Sequence, residues 1–389
     1  MAAVKVGIPV SLTGQFGTQG RQALAGLQAW ADAVNGAGGL RVGNRRHDVA
    51  VVHYDDCSLA DAAGAAAGRL IHEDRVDLLF GPYSSGLARA VADIAAGAGK
   101  VLWNQGGAAD EIYGPGRRVV GILSGARSYL AALPKLVREA YPSSAAFGVL
   151  RCSDGAFPRL VSEGFENSAV ASGFCKVYHR EFPSTQADFS GFVQEVLEAN
   201  PDLLLAVGRI RHDIAIARTL ASQPGTARLP KAMAVVATPI DRFRAEMGRA
   251  ADGFVGPSQW EPPASNAPIP NPCDYFGPAP THVRATLNRA GFATGVPVDY
   301  PMAQCFAAGL VAQRCVEAAG SLEQGLLWAA AGNLDFQTFF GRFKINSESG
   351  EQVGRSVNIV QWQLGRKVVI WPPEQAQGKL ELYQQARGE

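Results

Sequence analysis

The chain has 389 residues, of which 47% are hydrophobic, and its 36 Lys and Arg nearly balance 35 Asp and Glu for a formal net charge of +1. This length fits two domains of ordinary size. Nucleic-acid binding requires a concentrated basic surface, which a chain of balanced charge does not indicate, so no nucleic-acid partner is expected. No uninterrupted apolar run reaches the roughly 18 residues of a membrane-spanning helix, so no direct membrane insertion is expected.

Short apolar runs alternate with helix-length amphipathic segments from the start of the chain. The first series predicts strands at 4–9, 49–54, 78–80 and 101–103, with helices at 20–35, 59–73 and 84–98. The second series predicts helices at 127–141, 159–172, 189–199 and 211–222, with strands at 145–150, 177–181, 203–207 and 234–236. Strands alternating with helices of this length are typical of parallel sheets, so the fold class is α/β with two doubly wound units.

The pattern changes after residue 255. Residues 257–280 contain eight prolines, which predicts an ordered loop or crossover rather than a helix or a central strand. Three helices are predicted next, at 282–290, 300–319 and 321–330. The chain then ends in a β-hairpin of strands 357–364 and 367–371, which turns at Gly365-Arg366 and stops at Pro372-Pro373.

Cysteine usage and the amino terminus bear on the compartment. No CxxC pair occurs, which argues against zinc and thioredoxin-like chemistry, and most thiols are expected to be buried and free, although spacing leaves any pairing open. Residues 1–3 lead directly into a predicted strand without a secretory leader, so either the protein is cytosolic or a signal peptide preceded this chain. The cysteines are Cys57, Cys152, Cys175, Cys273, Cys305 and Cys315.

No catalytic set emerges from the motifs. Tyr83 stands where a hydrolase elbow has its nucleophile, no phosphate-binding loop is present, and no two histidines have the spacing of a zinc helix. Asp55-Asp56 is expected to cap the following helix, and His212-Asp213 is expected to be a surface pair. We therefore predict no catalytic residue, no metal and no cofactor.

Polar and aromatic residues gather where predicted strands end, at 11–17, 81–85 and 103–108 in the first series and at 153–157 and 208–211 in the second. Ligands of open α/β sheets bind outside the carboxyl ends of the strands, where helix N-termini present unpaired N–H groups. Hydroxyls and amides beside aromatic rings suit a small, partly apolar ligand with an anionic or polar head.

The chain carries a set of short motifs at residues 8–14, Gly17, Gly20, 35–39, Asp55-Asp56, 81–85 and 250–254. As a set they resemble the Leu/Ile/Val-binding family, the type I periplasmic solute-binding proteins of branched-chain amino acid ABC transporters. The resemblance implies two lobes joined by three crossovers, with a ligand held in the cleft between them by hinge closure. It implies an N-terminal lobe of residues 1–122 plus 254–334 and a C-terminal lobe of 123–253 plus 335–389.

The resemblance also implies positions for ligand binding. Ser84 falls where the family's serine binds the ligand carboxylate, although a plain helix N-cap uses the same geometry. Phe16 matches a cleft aromatic, Gly106 a backbone contact, and Phe157 the aromatic of the second lobe. The full set of candidates is Phe16, Tyr83, Ser84, Ser85, Trp103, Gln105, Gly106, Ala108, Phe157, Arg209 and Thr238.

Two departures from the family pattern concern the ligand. Ala108 stands where amino-acid binders have a threonine, and residues 236–238 span the position of the acid that holds the ammonium group. A buried ammonium without acceptors costs several kcal/mol, so ordinary α-amino acid recognition is not expected. We expect a small carboxylate or an amino-acid-like ligand, aromatic in preference to a free branched-chain amino acid, with an amide-bearing ligand as the alternative. Arg209 or Arg211 would meet the carboxylate; the alternative for each is a solvated arginine, and for each aromatic a core position.

The resemblance implies a receptor without catalysis that captures a solute outside the cytoplasm and delivers it to the membrane permease of an ABC importer. This reading presumes that a signal peptide was removed and places the protein in the periplasm. The alternative is a cytosolic amide or amino-acid sensor on the same fold, whose closure signals to a protein partner.

Overall fold

Buried strands alternate with helices through most of the chain. The computed structural model describes residues 3–224, 228–262 and 274–384. The strands are β1 (Val4–Val10), β2 (Leu40–Val42), β3 (Arg45–His47), β4 (Val49–Asp55), β5 (Leu78–Phe80), β6 (Val101–Asn104), β7 (Arg118–Gly121), β8 (Ala146–Cys152), β9 (Cys175–Phe182), β10 (Leu203–Val207), β11 (Ala232–Val235), β12 (Phe254–Ser258), β13 (Phe336–Thr338), β14 (Gly341–Phe343), β15 (Asn358–Gln363) and β16 (Arg366–Trp371). The helices are α1 (Gly17–Gly36), α2 (Ala60–His72), α3 (Ser85–Gly97), α4 (Leu133–Ala140), α5 (Ala156–Ala171), α6 (Ser190–Ala199), α7 (Ile210–Ala221), α8 (Asp241–Met247), α9 (Pro280–Thr294), α10 (Tyr300–Ala319) and α11 (Gln324–Asn333).

The chain forms two units and passes from one to the other three times. The first unit is Met1–Gly125 with Pro262–Arg355, and the second is Ala126–Glu261 with Ser356–Glu389. Two assignments made from the sequence are corrected. Residues 254–261 lie in the second unit because β12 pairs with β11 and β15. Residues 335–355 lie in the first unit, where the Gly121 N–H donates to the Gly350 carbonyl oxygen at 2.8 Å.

The first unit has a five-stranded sheet in the order β4-β1-β5-β6-β7, and every neighbouring pair is parallel. Helices α2 and α3 cover one part of this sheet with a core of small and branched apolar side chains, among them Ala67, Leu70, Leu79 and Val91. Parallel strands buried on both faces read as continuous apolar runs, which is why the sequence marks β1 and β5 so clearly.

The second unit has a seven-stranded sheet in the order β16-β15-β12-β11-β10-β8-β9. The strands from β9 to β12 are parallel, whereas β15 and β16 form an antiparallel hairpin that joins at β12. The hairpin turns at Leu364 and Gly365, whose φ angles are 47° and 80°. Two consecutive positive φ angles are the signature of a tight hairpin turn, so the predicted turn was one residue too late.

Two predicted elements differ from the structure. The helix expected at 127–141 begins only at Leu133, and residues 126–128 form a separate 3-10 turn. This turn packs so closely on α5 that a Cβ at Gly164 would lie 1.9 Å from the Arg127 carbonyl oxygen. The expectation of no central strand at 257–280 is wrong for Pro257 and Ser258, which belong to β12. Pro257 is tolerated because β11 pairs only with Phe254 and Val255, leaving that side of Pro257 without a strand partner. Residues 263–273 of the predicted loop lie outside the described residues.

Most of the cysteines in the described residues are buried, as expected. Cys152, Cys305 and Cys315 are buried and free, whereas Cys57 and Cys175 are free and exposed, and Cys273 lies outside the described residues. Within the described part of the chain, no helix combines the length and apolar character needed to cross a membrane.

Helices α1 and α10 approach closely in the first unit, and glycine makes this possible. A Cβ at Gly26 would lie 2.0 Å from the Met302 carbonyl oxygen, so Gly26→Ala should force the helices apart and destabilise the protein by about 1–3 kcal/mol. The matched control is Gly36→Ala at the end of the same helix, where an added Cβ would have no neighbouring atom within 4 Å. This change should be neutral or stabilise by up to about 1 kcal/mol. Urea unfolding measures both, and equal midpoints for the two variants would contradict the packing argument.

Candidate functional site

In the first unit, Asp55 ties together the loops that follow β1 and β4. Its carboxylate accepts hydrogen bonds from the Leu12 N–H at 2.9 Å, the Thr13 hydroxyl at 2.7 Å and the Cys57 N–H at 2.9 Å. Burial alone would raise the pKa of Asp55, but these hydrogen bonds outweigh it and lower the pKa to about 2. Asp55 is therefore ionised at neutral pH and fixes both loops.

Asp56 makes a second, fully buried link between the same loops. Its Oδ1 accepts from the Ser11 hydroxyl at 2.6 Å and from the Ser58 N–H at 2.8 Å, while burial raises the pKa of the carboxyl against these bonds. The expectation that Asp55 and Asp56 cap the next helix is wrong, because α2 has Leu59 at its N-cap position. The two carboxylates join loops.

Ser84 lies after β5, at the N-cap position of α3. Its backbone is extended, with φ −160° and ψ −177°, and its side chain makes no capping hydrogen bond. The half-buried hydroxyl has no hydrogen-bond partner in the described part of the chain, so it and the first N–H groups of the helix are open to an anionic group.

Three other candidates in the first unit hold the loop after β6. The Ser85 hydroxyl accepts from the N–H groups of Ala108 and Ala109 at 3.1 and 3.2 Å. Gln105 is fully buried, and its amide donates to the Gly81 carbonyl oxygen at 2.8 Å. A Cβ at Gly106 would lie 2.3 Å from the Pro82 carbonyl oxygen, so only glycine fits there. These contacts position the loop; the side chains of Gln105 and Ala108 offer a ligand almost no surface.

An aromatic group flanks Ser84. The rings of Phe16 and Tyr83 meet edge to face with centroids 5.8 Å apart, and the Tyr83 hydroxyl lies 2.7 Å from the Tyr300 hydroxyl. The sequence did not indicate Tyr300, because 217 residues separate it from Tyr83 and no local pattern connects them. Trp103 is fully buried within its unit and exposes no surface to a ligand, so the structure does not support it as a binding residue.

In the second unit, Phe157 and Arg209 remain accessible while Thr238 does not. Phe157 is half-buried and meets Tyr129 edge to face at 5.3 Å. Arg209 is exposed, and its guanidinium forms no ion pair or hydrogen bond within the described residues, whereas Arg211 donates to the Ser184 carbonyl oxygen. Thr238 is fully buried with its hydroxyl donating to the Val255 carbonyl oxygen at 3.0 Å, so the structure does not support it as a binding residue.

The expectation that His212-Asp213 is a surface pair is wrong, since each residue is only 1% exposed. The Asp213 carboxyl accepts from the Gly208 N–H at 2.7 Å and from the Ala237 N–H at 3.0 Å, which joins the loops after β10 and β11. Burial raises the pKa of Asp213 to about 8, against the opposing effect of these two hydrogen bonds. A polar residue in the first helical turn after a buried strand is the signal that could have found this link.

His212 makes a comparable link between the loops after β9 and β10. Its Nδ1 accepts from the Arg209 N–H at 3.2 Å, and its Nε2 lies 3.1 Å from the Ser184 carbonyl oxygen and 3.2 Å from the Arg211 Nε. In the described residues no group of three or more His, Cys, Asp or Glu side chains is arranged to hold a metal ion.

The chain forms two units, passes between them three times, and builds each around a sheet of parallel strands connected by helices. This is the architecture of type I periplasmic binding proteins, the solute-binding receptors. Residues 3–367 match the family model described as periplasmic binding protein, and the chain belongs to that family.

The similar proteins agree with this assignment. Leu/Ile/Val-binding protein homolog 8 of Brucella abortus is 26% identical over 215 residues, which are 53% of this chain and 51% of that protein. The match therefore spans about half the length of the curated relatives. Together with the family match, it confirms the resemblance to the Leu/Ile/Val-binding proteins.

Three solved structures show the same fold. The leucine-binding protein LivK of Thermotoga maritima is 19% identical with a TM-score of 0.78, covering 94% of this chain and 97% of that one. An R. palustris solute-binding protein in complex with benzoate is 20% identical with a TM-score of 0.75, covering 98% and 99%. LivJ of Streptococcus pneumoniae in complex with isoleucine is 14% identical with a TM-score of 0.78, covering 95% and 100%.

The raised pKa of Asp213 predicts a pH-dependent stability. The folded protein keeps a proton on this carboxyl up to about pH 8, whereas the unfolded chain loses it near the usual value of 3.8. The contribution of Asp213 to stability is therefore full below pH 3.8 and is lost as the pH rises through 8, by up to about 1.4 kcal/mol per pH unit. Asp213→Asn removes this titration, so its unfolding midpoint should improve relative to wild type as the pH rises across this window.

The matched control is Asp335→Asn. Arg342 and Lys344 hold the pKa of Asp335 at about 2, so the stability it contributes is present above its usual value of 3.8 and is lost only at lower pH. Its difference from wild type should stay constant above about pH 5. Urea unfolding across this range measures both variants, and a constant offset for Asp213→Asn would contradict a protonated Asp213.

Proposed function

We propose that the protein is the extracytoplasmic receptor of an ABC importer, which captures a small aromatic carboxylate between its two units by hinge closure and delivers it to a membrane permease without chemical turnover. The main support for this class of ligand is the Ser84 hydroxyl at the N-terminus of α3, which makes no capping hydrogen bond and lies beside the Phe16–Tyr83 aromatic pair.

The carboxylate is supported by features of each unit. In the first, α3 directs its free N–H groups and its positive dipole end toward Ser84, an arrangement that favours an anion. In the second, the exposed Arg209 guanidinium forms no salt bridge or hydrogen bond within the described residues, although Asp154 is near enough to interact with its charge. A guanidinium matches the two oxygens of a carboxylate. Each unit therefore offers a group suited to a carboxylate.

The aromatic part of the ligand is supported by what the loops can and cannot offer. Phe16, Tyr83 and Phe157 are half-buried rings, suited to stacking or edge contacts with a planar ligand. At the positions that would hold an ammonium group, Ala108 has only a methyl side chain and the Thr238 hydroxyl is committed to Val255. Proteins of this fold have been solved with benzoate and with isoleucine, and the residues present here favour the first chemistry.

The ligand class is tested by calorimetric titration with benzoate, 4-hydroxybenzoate, leucine and isoleucine. We expect the benzoates to bind and the amino acids to bind at least about tenfold more weakly, because the ammonium group lacks acceptors. Ser84→Ala should weaken benzoate binding by about tenfold, whereas Ser347→Ala, an exposed serine of the same unit, should not change it. Tight leucine binding with inert benzoates would overturn the proposed ligand.

Arg209→Gln separates binding from folding. The exposed guanidinium forms no salt bridge or hydrogen bond in the described residues, and its interaction with Asp154 is screened by solvent, so its removal should leave the unfolding free energy within about 0.5 kcal/mol of wild type. Benzoate affinity should fall by at least about tenfold, because a charge-assisted hydrogen bond to the carboxylate is lost. Arg249→Gln, an exposed arginine of the same unit, is the control. Unchanged benzoate affinity in Arg209→Gln would remove this residue from the site.

A further inference from the structure

We propose that His212 is a positioning residue for the ligand site: in its neutral form it holds the backbone of Arg209 in place, and protonation of its ring at acid pH releases that hold and weakens ligand binding. This inference rests on the proposed function in one respect, namely that Arg209 receives the ligand carboxylate.

The His212 ring is fixed by packing. It lies edge-on to Phe182, with centroids 5.2 Å apart, and to Phe189, with centroids 6.1 Å apart, and the residue is 1% exposed. The loop after β10 closes tightly over it, since a Cβ at Gly208 would lie 2.9 Å from the His212 Cβ. The ring therefore has little freedom to rotate, and each of its two nitrogens interacts with the groups that face it.

The acceptor role of Nδ1 requires the neutral ring. Nδ1 is the acceptor for the Arg209 N–H at 3.2 Å, and Nε2 faces the Ser184 carbonyl oxygen at 3.1 Å. A second proton on the ring would sit on Nδ1 and point at the hydrogen of the Arg209 N–H. Because two donors cannot share a hydrogen bond, the Arg209 peptide must move when the ring becomes charged.

The charges around the ring also favour the neutral form. The guanidinium Nε of Arg211 lies 3.2 Å from Nε2, and Arg209 adds a second positive charge, whereas Asp154 is the nearby negative group. Asp213 on the same helix turns its carboxyl to Gly208 and Ala237 and has its own pKa raised by burial. Burial and the two arginines lower the pKa of His212, against the opposing effects of the Ser184 carbonyl and Asp154. The ring is thus neutral at neutral pH and gains its proton on acidification.

The consequence is a binding site that depends on a residue with no ligand contact. Movement of the Arg209 peptide shifts the base of the side chain that reaches the carboxylate. Losing one such positioning hydrogen bond corresponds to a loss of about tenfold in affinity.

Two variants separate the acceptor from the packing. His212→Asn places Oδ1 near the position of Nδ1 and keeps an acceptor that does not titrate, whereas His212→Phe keeps the ring and removes the acceptor. The control is His179→Asn, a histidine of β9 in the same unit that lies beside Glu166 and Glu181. Because the pKa of His212 lies below the usual histidine value, benzoate affinity is measured by calorimetry in steps from about pH 7.5 down to about pH 4.5. The protection of the Arg209 amide against hydrogen exchange is measured by NMR without ligand.

We expect wild type and His179→Asn to lose about tenfold in benzoate affinity on acidification, and His212→Asn to lose less than about threefold. His212→Phe should be about tenfold weaker already at the higher pH, with the Arg209 amide deprotected. The proposal is overturned if His212→Asn keeps the full acid effect, or if the Arg209 amide of His212→Phe stays as protected as in wild type. Failure of wild type to bind benzoate would refute the proposed ligand instead, and amide protection would still decide the positioning role.

Discussion

Carboxyl groups that accept hydrogen bonds from peptide N–H groups hold the loops at the carboxyl ends of both parallel sheets. Where a parallel strand ends, its loop leaves the ladder and its N–H groups need new acceptors. In the first unit Asp55 and Asp56 supply them to the loops after β1 and β4, and in the second Asp213 supplies them to the loops after β10 and β11. Without these acceptors, each buried N–H group would be left without a hydrogen bond, which costs about 1–3 kcal/mol.

Some polar side chains near the candidate site hydrogen-bond to neighbouring loops, and others make no hydrogen bond. Ser85, Gln105 and His212 belong to the first group. The side chains of Ser84 and Arg209, which follow or precede these residues in the sequence, make no hydrogen bond within the described residues. A receptor gains affinity when its polar groups are already placed and need no reorganisation on binding, so fixed loops that carry free polar groups are what a small-solute site requires.

The candidate residues at the strand–helix junctions differ in how much of their side chains is exposed. Ser84 and Phe16 are half-buried and keep part of their surface accessible. Trp103 and Thr238 were also placed at junctions, yet both residues are fully buried. A strand end does not reveal which face of the sheet its last side chain joins, because that depends on how far the ladder extends and how the next turn folds back. The His212-Asp213 pair shows the opposite error, since charged residues next to a helix start look exposed until a loop closes over them.

The sequence by itself determined the fold class and the order of most helices and of the long buried strands, because buried parallel strands and amphipathic helices leave a strong periodic pattern along the chain. It indicated the family through a set of motifs that resemble those of the Leu/Ile/Val-binding proteins. Short strands such as β2, β3, β13 and β14 were not predicted, since three residues are too few to show a period. Only the tertiary structure decided which segments share a sheet, which placed β12 and residues 335–355 in the units opposite to those expected. It alone brought Tyr300 to Tyr83, showed that Asp213 joins two loops, and distinguished free from committed polar groups. The physical reason is the same in each case: hydrogen bonding and burial are set by neighbours in space, and those neighbours are distant or unpatterned in the sequence.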